Sequence, residues 1–422
     1  MAFDAAAVML PLVVIVGGGA LFRFLALRAG QPGVLGELTL GLLLGASVLG
    51  WAWPGARDAL FPADARAALE AIAWVGLAFF MYMVGSEMRW QRGDGRAAGL
   101  VAWGGLVAPL ALGALLVMAQ PGWFTDGPPR LELLALVALV MSVSALPVLA
   151  RILDDAGLAR SRLGTIVLGA GTVDDLVAWM LLALLVSAAH VGLTGHVGLN
   201  VLVTAALFGG AYLVDRALPR LLKERAVPPS QGMLALLVVA ILGSALLTQA
   251  AGLHAVLGPL MVGAIVSRHA TLQAYAQPRL QGITMVLFLP AFFVLAGLDT
   301  NLTLIASGAG LVALAAVVVV ASAGKLVGAW IGGAAAGLPR RERLMAGILL
   351  NARGAVGLVV ARVGLEEGVV GPQGFALLVA AIVLTTMAAP PALQWYAARS
   401  VHVAPKRAPA QPQARAPMPR AK

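Results

Sequence analysis

Apolar runs long enough to cross a bilayer recur along nearly the whole chain, and they leave it few folds to adopt. A membrane helix needs roughly 20 consecutive apolar residues. Thirteen runs are read, at about 5–27, 33–51, 68–88, 95–119, 131–153, 161–189, 197–217, 231–250, 253–268, 281–298, 304–334, 341–364 and 373–397. The ninth is short, and the eleventh is long enough to tilt or bend. Only 11% of the residues are charged, against about 25% in soluble domains. The expected fold class is therefore an all-α polytopic membrane protein with about 13 transmembrane helices. Met1 to Leu27 holds Asp4 and no basic leader, so it is expected to be the first membrane helix and not a cleaved signal. The absence of cysteine excludes disulfides and thiolate metal sites.

The net charge of +10 is not a nucleic-acid signature, because the basic residues cluster in short loops between apolar runs. Alternate loops, with the C-terminal tail, hold 22 Lys and Arg; the opposite set holds Arg57, Arg66 and Arg130. Cytoplasmic loops carry the basic excess. The N-terminus is thus expected outside and the C-terminus in the cytoplasm of a cell inner membrane. The tail, residues 399–422, is rich in Pro, Ala, Arg and Gln and is expected to be disordered. It holds no Gly-rich βαβ pattern, so no nucleotide-binding regulatory domain, and no cofactor, is expected.

Four basic residues fall inside runs. Arg23 and Arg362 lie toward run ends, where long side chains snorkel. Lys325 and Arg353 lie deeper. Lys325 precedes Arg340 by 15 residues, roughly 22 Å of helix. The chain has 4 Lys against 25 Arg, yet at this deep position it uses Lys. An ammonium can release a proton in a protein interior and a guanidinium cannot. Lys325 is read as a charge partner for an aspartate. Whether it also releases a proton is left open.

The partner is within the sixth run, in Gly169-Ala170-Gly171-Thr172-Val173-Asp174-Asp175. Carboxylates at mid-membrane are rare and mark ion pathways or proton relays. Neighbouring helical residues point about 100° apart. One aspartate can meet Lys325 while the other faces an aqueous cavity. A carboxylate that holds either a proton or a dehydrated monovalent cation, but not both, is the physical core of an antiporter. A helix-start capping box at Thr172 to Asp175 would leave Ser161 to Leu168 too short to cross. Glu37 and Glu87 lie near cytoplasmic run ends, where charge is cheap. Asp299 ends the tenth run, and Glu366 and Glu367 fall in an outer loop. The five histidines show no metal-ligand spacing.

Two runs are interrupted. The fifth contains Ser142-Val143-Ser144-Ala145-Leu146-Pro147; the proline removes a backbone donor, and Ser142 and Ser144 can offer oxygens to freed backbone or to a cation. The twelfth contains Asn351-Ala352-Arg353-Gly354-Ala355-Val356-Gly357. Interrupted helices in corresponding positions of two halves point to a transporter site. Runs 1–6 and 8–13 form the halves of an expected inverted repeat, with run 7 (197–217) as linker and the two breaks crossing beside Asp174 and Asp175. No residue-level repeat is apparent.

Ser144-Ala145-Leu146-Pro147-Val148-Leu149-Ala150-Arg151-Ile152-Leu153 followed by Asp174-Asp175 resembles the bacterial sodium/hydrogen exchanger branch of the monovalent cation:proton antiporter superfamily. So do Gln31-Pro32-Gly33-Val34-Leu35-Gly36-Glu37, Phe292-Phe293-Val294-Leu295-Ala296-Gly297-Leu298 and Arg353-Gly354. The Ser-x-Ser-Ala-Leu-Pro wording is also similar to potassium-handling relatives of plants and fungi. The resemblance implies a transmembrane exchanger domain over 1–398 that forms a homodimer. It implies a mobile core, about 95–189 and 304–397, moving like an elevator against a scaffold, about 5–88 and 231–298. It implies that Asp175 binds the transported cation (Na⁺ foremost, K⁺ or Li⁺ otherwise) or a proton, with Ser142 and Ser144 as candidate oxygens. It implies that Asp174 pairs with Lys325, and that exchange is electrogenic. Arg353 is expected to compensate helix ends or pair with a cytoplasmic-side acid; Pro147, Gly354 and Gly357 mark the breaks. No enzymatic activity is expected. A channel-like potassium efflux protein is the alternative, without a selectivity-filter loop to support it. An intramembrane aspartyl protease would need aspartates on separate helices.

Overall fold

A computed structural model describes residues 5–87, 95–127, 130–158, 161–191, 209–210, 216, 230–250 and 255–399. The seventh run falls outside these but for three residues, as do residues 400–422 of the tail. The described residues are helical and contain no strand. The helices of ten residues or more are α1 (Ala5–Arg28), α2 (Gly33–Leu44), α3 (Ala63–Glu87), α4 (Gly95–Ala119), α5 (Leu131–Ser142), α6 (Leu146–Asp155) and α7 (Arg162–Val191). After the linker come α8 (Gln231–Ala250), α9 (Leu257–Val266), α10 (Ala270–Asp299), α11 (Gly308–Ala335), α12 (Arg340–Leu350), α13 (Ala355–Glu366) and α14 (Pro372–Arg399). Among the described residues nine spans are long and apolar enough to cross a membrane. The fifth and twelfth runs are each split into two half-helices, α5/α6 and α12/α13, and the ninth is a short helix.

Boundaries differ in places: α2 ends at Leu44 where the second run was expected to reach 51, and α3 starts at Ala63 where the third was expected from 68. The tenth run was expected from 281, but α10 starts at Ala270. Residues 270–281 are too polar to read as apolar, yet Leu272, Ala276 and Leu280 are buried at a spacing of four. That is an amphipathic helix, docked where Gln273 Nε2 donates to Ser86 O at 2.7 Å. A π-turn at Thr284–Phe288 precedes Pro290 inside the same helix.

The packing map repeats itself when each helix of the first half is replaced by the one seven places on. The pair α3·α9 recurs as α10·α2, α1·α2 as α8·α9, α4·α5 as α11·α12, α4·α7 as α11·α14, and α6·α7 as α13·α14. The pair α4·α11 maps onto itself and is the most extensive. This is the signature of a structural repeat of the two halves, as the expected inverted repeat requires. It is also written in the residues. Val34-Leu35-Gly36-x-Leu38-x-x-Gly41 in α2 recurs as Val256-Leu257-Gly258-x-Leu260-x-x-Gly263 in α9. A Cβ on Gly36 would stand 2.2 Å from Phe22 O, and one on Gly258 2.1 Å from Ser244 O. A Cβ on Gly41 would stand 2.2 Å from Val294 O, and one on Gly263 2.1 Å from Tyr82 O. Without a hydrophobic drive between helices in lipid, such close backbone approach supplies the packing.

The same device seats α11. Gly324, Gly328 and Gly332 form one small face against Pro109, Gly104 and Leu100 of α4. Lys325, adjoining that face, is thereby carried into the interior.

Candidate functional site

The site forms where the two broken runs cross. In the first break, Val143 is extended (φ −73°, ψ 135°) and α6 restarts at Leu146. Pro147 is the second residue of α6, where its missing N–H costs little. In the second, α12 ends at Leu350 and α13 begins after Gly354. The breaks touch: Ala145 N–H donates to Ala352 O at 3.2 Å. A Cβ on Gly354 would stand 2.8 Å from Ala145 Cβ and Val148 Cγ2, so a larger residue there would wedge the crossing apart. Gly357, expected in the break, lies inside α13 and faces Ile382. It is a packing position and not part of the interruption.

Each break caps a helix end of the other. The last carbonyls of a helix lack intrahelical partners. Ser144, from the first break, places its Oγ 2.7 Å from the carbonyl of Leu350, the last residue of α12. Arg353, from the second break, donates through Nη1 to Val140 O in the last turn of α5 (3.1 Å) and through Nη2 to Ala321 O in α11 (3.0 Å). Arg353 is 2% exposed. Of its two expected uses, the geometry shows contacts to helix carbonyls; no acid is among its hydrogen-bond partners in the described residues.

Asp174 and Asp175 lie mid-way along an uninterrupted α7, so the helix-start reading falls. Both are fully buried, as is Lys325. Lys325 Nζ donates to Asp174 Oδ2 at 2.7 Å, and Ser144 Oγ lies 2.8 Å from the same oxygen. Asp175 diverges. Neither of its oxygens has a hydrogen-bond partner among the described residues. The Leu146 N–H, at the start of α6, is close to it without meeting hydrogen-bond geometry. Ser142, expected as a ligand, turns its hydroxyl back to Leu139 O in its own helix (2.9 Å).

Some residues of the site were not foreseen. Thr385 and Thr386 sit mid-way along α14, the place that Asp174 and Asp175 take in α7. Thr386 Oγ1 accepts from the Arg353 backbone N–H at 3.1 Å. Asn351 Nδ2 donates to Ser322 Oγ at 3.2 Å, one turn from Lys325. A polar pair inside an apolar run was the available signal for the threonines. Glu37, expected near a cytoplasmic run end, lies in the first turns of α2 and is fully buried in the protein, with Oε1 3.3 Å from Arg23 Nη1. Arg362, expected to snorkel, instead pairs with Asp299 and with Glu366. Asp299 also holds Arg66.

A family model described as "Sodium/hydrogen exchanger, transmembrane" matches residues 12–399, nearly the whole described fold. The chain belongs to the sodium/hydrogen exchanger family. It is 31% identical over 393 residues to the Na(+)/H(+) antiporter NhaS4 of Synechocystis, covering 90% of this chain and 94% of that one. It is 26% identical to the Na(+)/H(+)-K(+) antiporter GerN of Bacillus cereus, covering 88% and 91%. It is 32% identical to Cation/H(+) antiporter 15 of Arabidopsis thaliana, but spans only 45% of that protein's length. The exchanger fold is matched by the structure of the sodium proton antiporter MjNhaP1 from Methanocaldococcus jannaschii at pH 8. There the TM-score is 0.66 at 14% identity, over 93% of this chain and 99% of that one.

Proposed function

We propose that this exchanger-family protein trades a monovalent cation, Na⁺ foremost with K⁺ or Li⁺ as the alternatives, for protons across the membrane. The observation that carries the reading is the contrast between the two aspartates. Asp174 is neutralised by Lys325, whereas Asp175 is buried with neither oxygen hydrogen-bonded among the described residues. A bare carboxylate in such surroundings is costly, so it takes up a proton or a dehydrated cation. The two occupants compete for the same oxygens, and that competition couples their fluxes. The antiporter names of the relatives support the same reading.

Supporting roles follow from position. The mutually capped breaks hold Ser144 and the Leu146 N–H beside the aspartates. Arg353 fixes the end of α5 and so the geometry of the first break. One carboxylate exchanging one proton for one monovalent cation moves no net charge. Electrogenic exchange therefore needs a second titrating group, and the Asp174–Lys325 pair is the one that the site offers. We assign α4–α7 and α11–α14 to a moving core and α1–α3 and α8–α10 to a scaffold, because helix contacts concentrate within these two sets. The exposed apolar faces of α1 (Met9, Val13) and α8 (Leu236, Val239) suit lipid and the second copy of a homodimer. The basic-loop asymmetry supports an inner-membrane protein with its N-terminus outside.

The test is exchange in proteoliposomes loaded with a proton-sensitive dye. A ΔpH is imposed, Na⁺, K⁺ or Li⁺ is added in turn, and each run is repeated under an imposed membrane potential. Dequenching by one cation that responds to potential is expected. Cation flux without proton movement, unchanged in Asp175→Asn, would replace the exchanger with the channel-like alternative.

A further inference from the structure

Away from the aspartates, one polar cluster joins the two helix sets. Asp299 closes α10 and stands 17% exposed, with Arg66 at the start of α3 on one of its oxygens and Arg362 of α13 on the other. Arg66 and Asp299 belong to the set assigned as scaffold, and Arg362 to the set assigned as core. Arg362 Nε donates to Glu366 Oε1, one turn further along its own helix, at 2.6 Å. The basic-loop count places all four residues at the outer ends of their helices.

We infer that Asp299 and Arg362 form a releasable latch between the two helix sets, closing the outer side of the seam in the present state. The inference rests on the exchanger reading above. Three observations separate a latch from a static tie. First, releasing it strands no charge. Removing one partner from a partly buried pair normally leaves an uncompensated ion. Here, if α13 moves away, Asp299 keeps Arg66 and Arg362 keeps Glu366. Each set thus carries its own spare partner, and only the bridging bond is lost. Second, the seam beneath holds a small cavity. Glu70, Ala73, Trp74 and Phe292 face Arg362 and Glu366 across a cavity of about 20 Å³, room for about one water. Third, the bridge joins helices that otherwise scarcely meet: α10 packs mainly on α1, α2 and α3, and α13 on α5 and α14. It can therefore open without tearing a packed apolar interface.

A contact present in one state and absent in the other sets their ratio, and a ligand's apparent affinity on each side follows that ratio. Losing the latch favours the state open to the outside. The test measures apparent cation affinity from both faces, in right-side-out and inverted vesicles, for the wild type, Arg362→Gln and Asp299→Asn. For both variants the outer-face affinity is expected to tighten and the inner-face affinity to weaken, the two factors multiplying to roughly fivefold, the low end of common coupling strengths. The chain has no native cysteine, so Asp299→Cys/Arg362→Cys can be bridged by a short cleavable bifunctional thiol reagent. Bridging is expected to stop turnover, and reductant to restore it. Unchanged affinities on both faces, shifts in the same direction on both faces, or continued turnover of the bridged protein would overturn the latch. Failure of the exchanger reading would show differently, as no coupled exchange in the wild type itself.

Discussion

Asp174 and Asp175 are neighbours in sequence and opposites in surroundings. One oxygen of Asp174 is shared by an ammonium and a hydroxyl, while neither oxygen of Asp175 has a hydrogen-bond partner among the described residues. Asp175→Asn keeps the volume and removes the site for both occupants, so exchange in the dye assay is expected to vanish while the purified protein melts as before. Lys325→Met leaves Asp174 a buried unpaired carboxylate, a change that costs about 3–5 kcal/mol. A lowered melting temperature in detergent is expected, with much of the loss recovered in Asp174→Asn/Lys325→Met. If the double variant melts no higher than the single one, Lys325 is not there to neutralise Asp174. The aspartates, Lys325 and Arg353 were legible because charge is so sparse in the apolar runs that each deep one stands out. The partners of Asp299 and Glu37 were not. Asp299 meets residues 233 and 63 positions away, and nothing local announces which acid and base will share a helix end.

The broken runs were legible as elements because proline, serine and glycine interrupt otherwise helical stretches. How they meet was not, because capping of one break by the other is a property of the crossing. The repeat is a different case. The Val-Leu-Gly-x-Leu-x-x-Gly wording stands in α2 and α9 for anyone to read, but apolar residues with spaced glycines carry little information until backbones are seen to touch. That contact is testable. Gly263→Val places its side chain against Tyr82 O, and overpacking of this kind costs about 1–3 kcal/mol or more. A clear drop in detergent melting temperature is expected, whereas Gly17→Ala, with open space around it, should leave the melting temperature in place. Equal effects from the two would mean that the close approach of α3 and α9 is not needed. The polar first part of α10 escaped because a search for apolar runs is blind to an amphipathic helix.

Over the whole molecule, competition at one carboxylate has a signature separate from any single contact. Where protons dominate the site, lowering the pH by one unit raises proton activity tenfold. The apparent KM for the cation should then rise up to tenfold while the maximal rate stays fixed. A maximal rate that falls with an unchanged KM would mean that proton and cation bind at separate places. If Lys325 carries the second proton, Asp174→Asn/Lys325→Met should retain any residual exchange without its dependence on membrane potential. The packing map that turns into itself when the halves are exchanged has a consequence of its own. The halves share one set of contacts but not one sequence: α7 brings aspartates to the crossing and α14 brings threonines. A second conformation is therefore expected, in which each half takes up the conformation now held by its counterpart. Threading the first half onto the backbone of the second, and the reverse, would give coordinates for that expected state from a single structure, and the Asp299–Arg362 distance in those coordinates is a number that experiment can check.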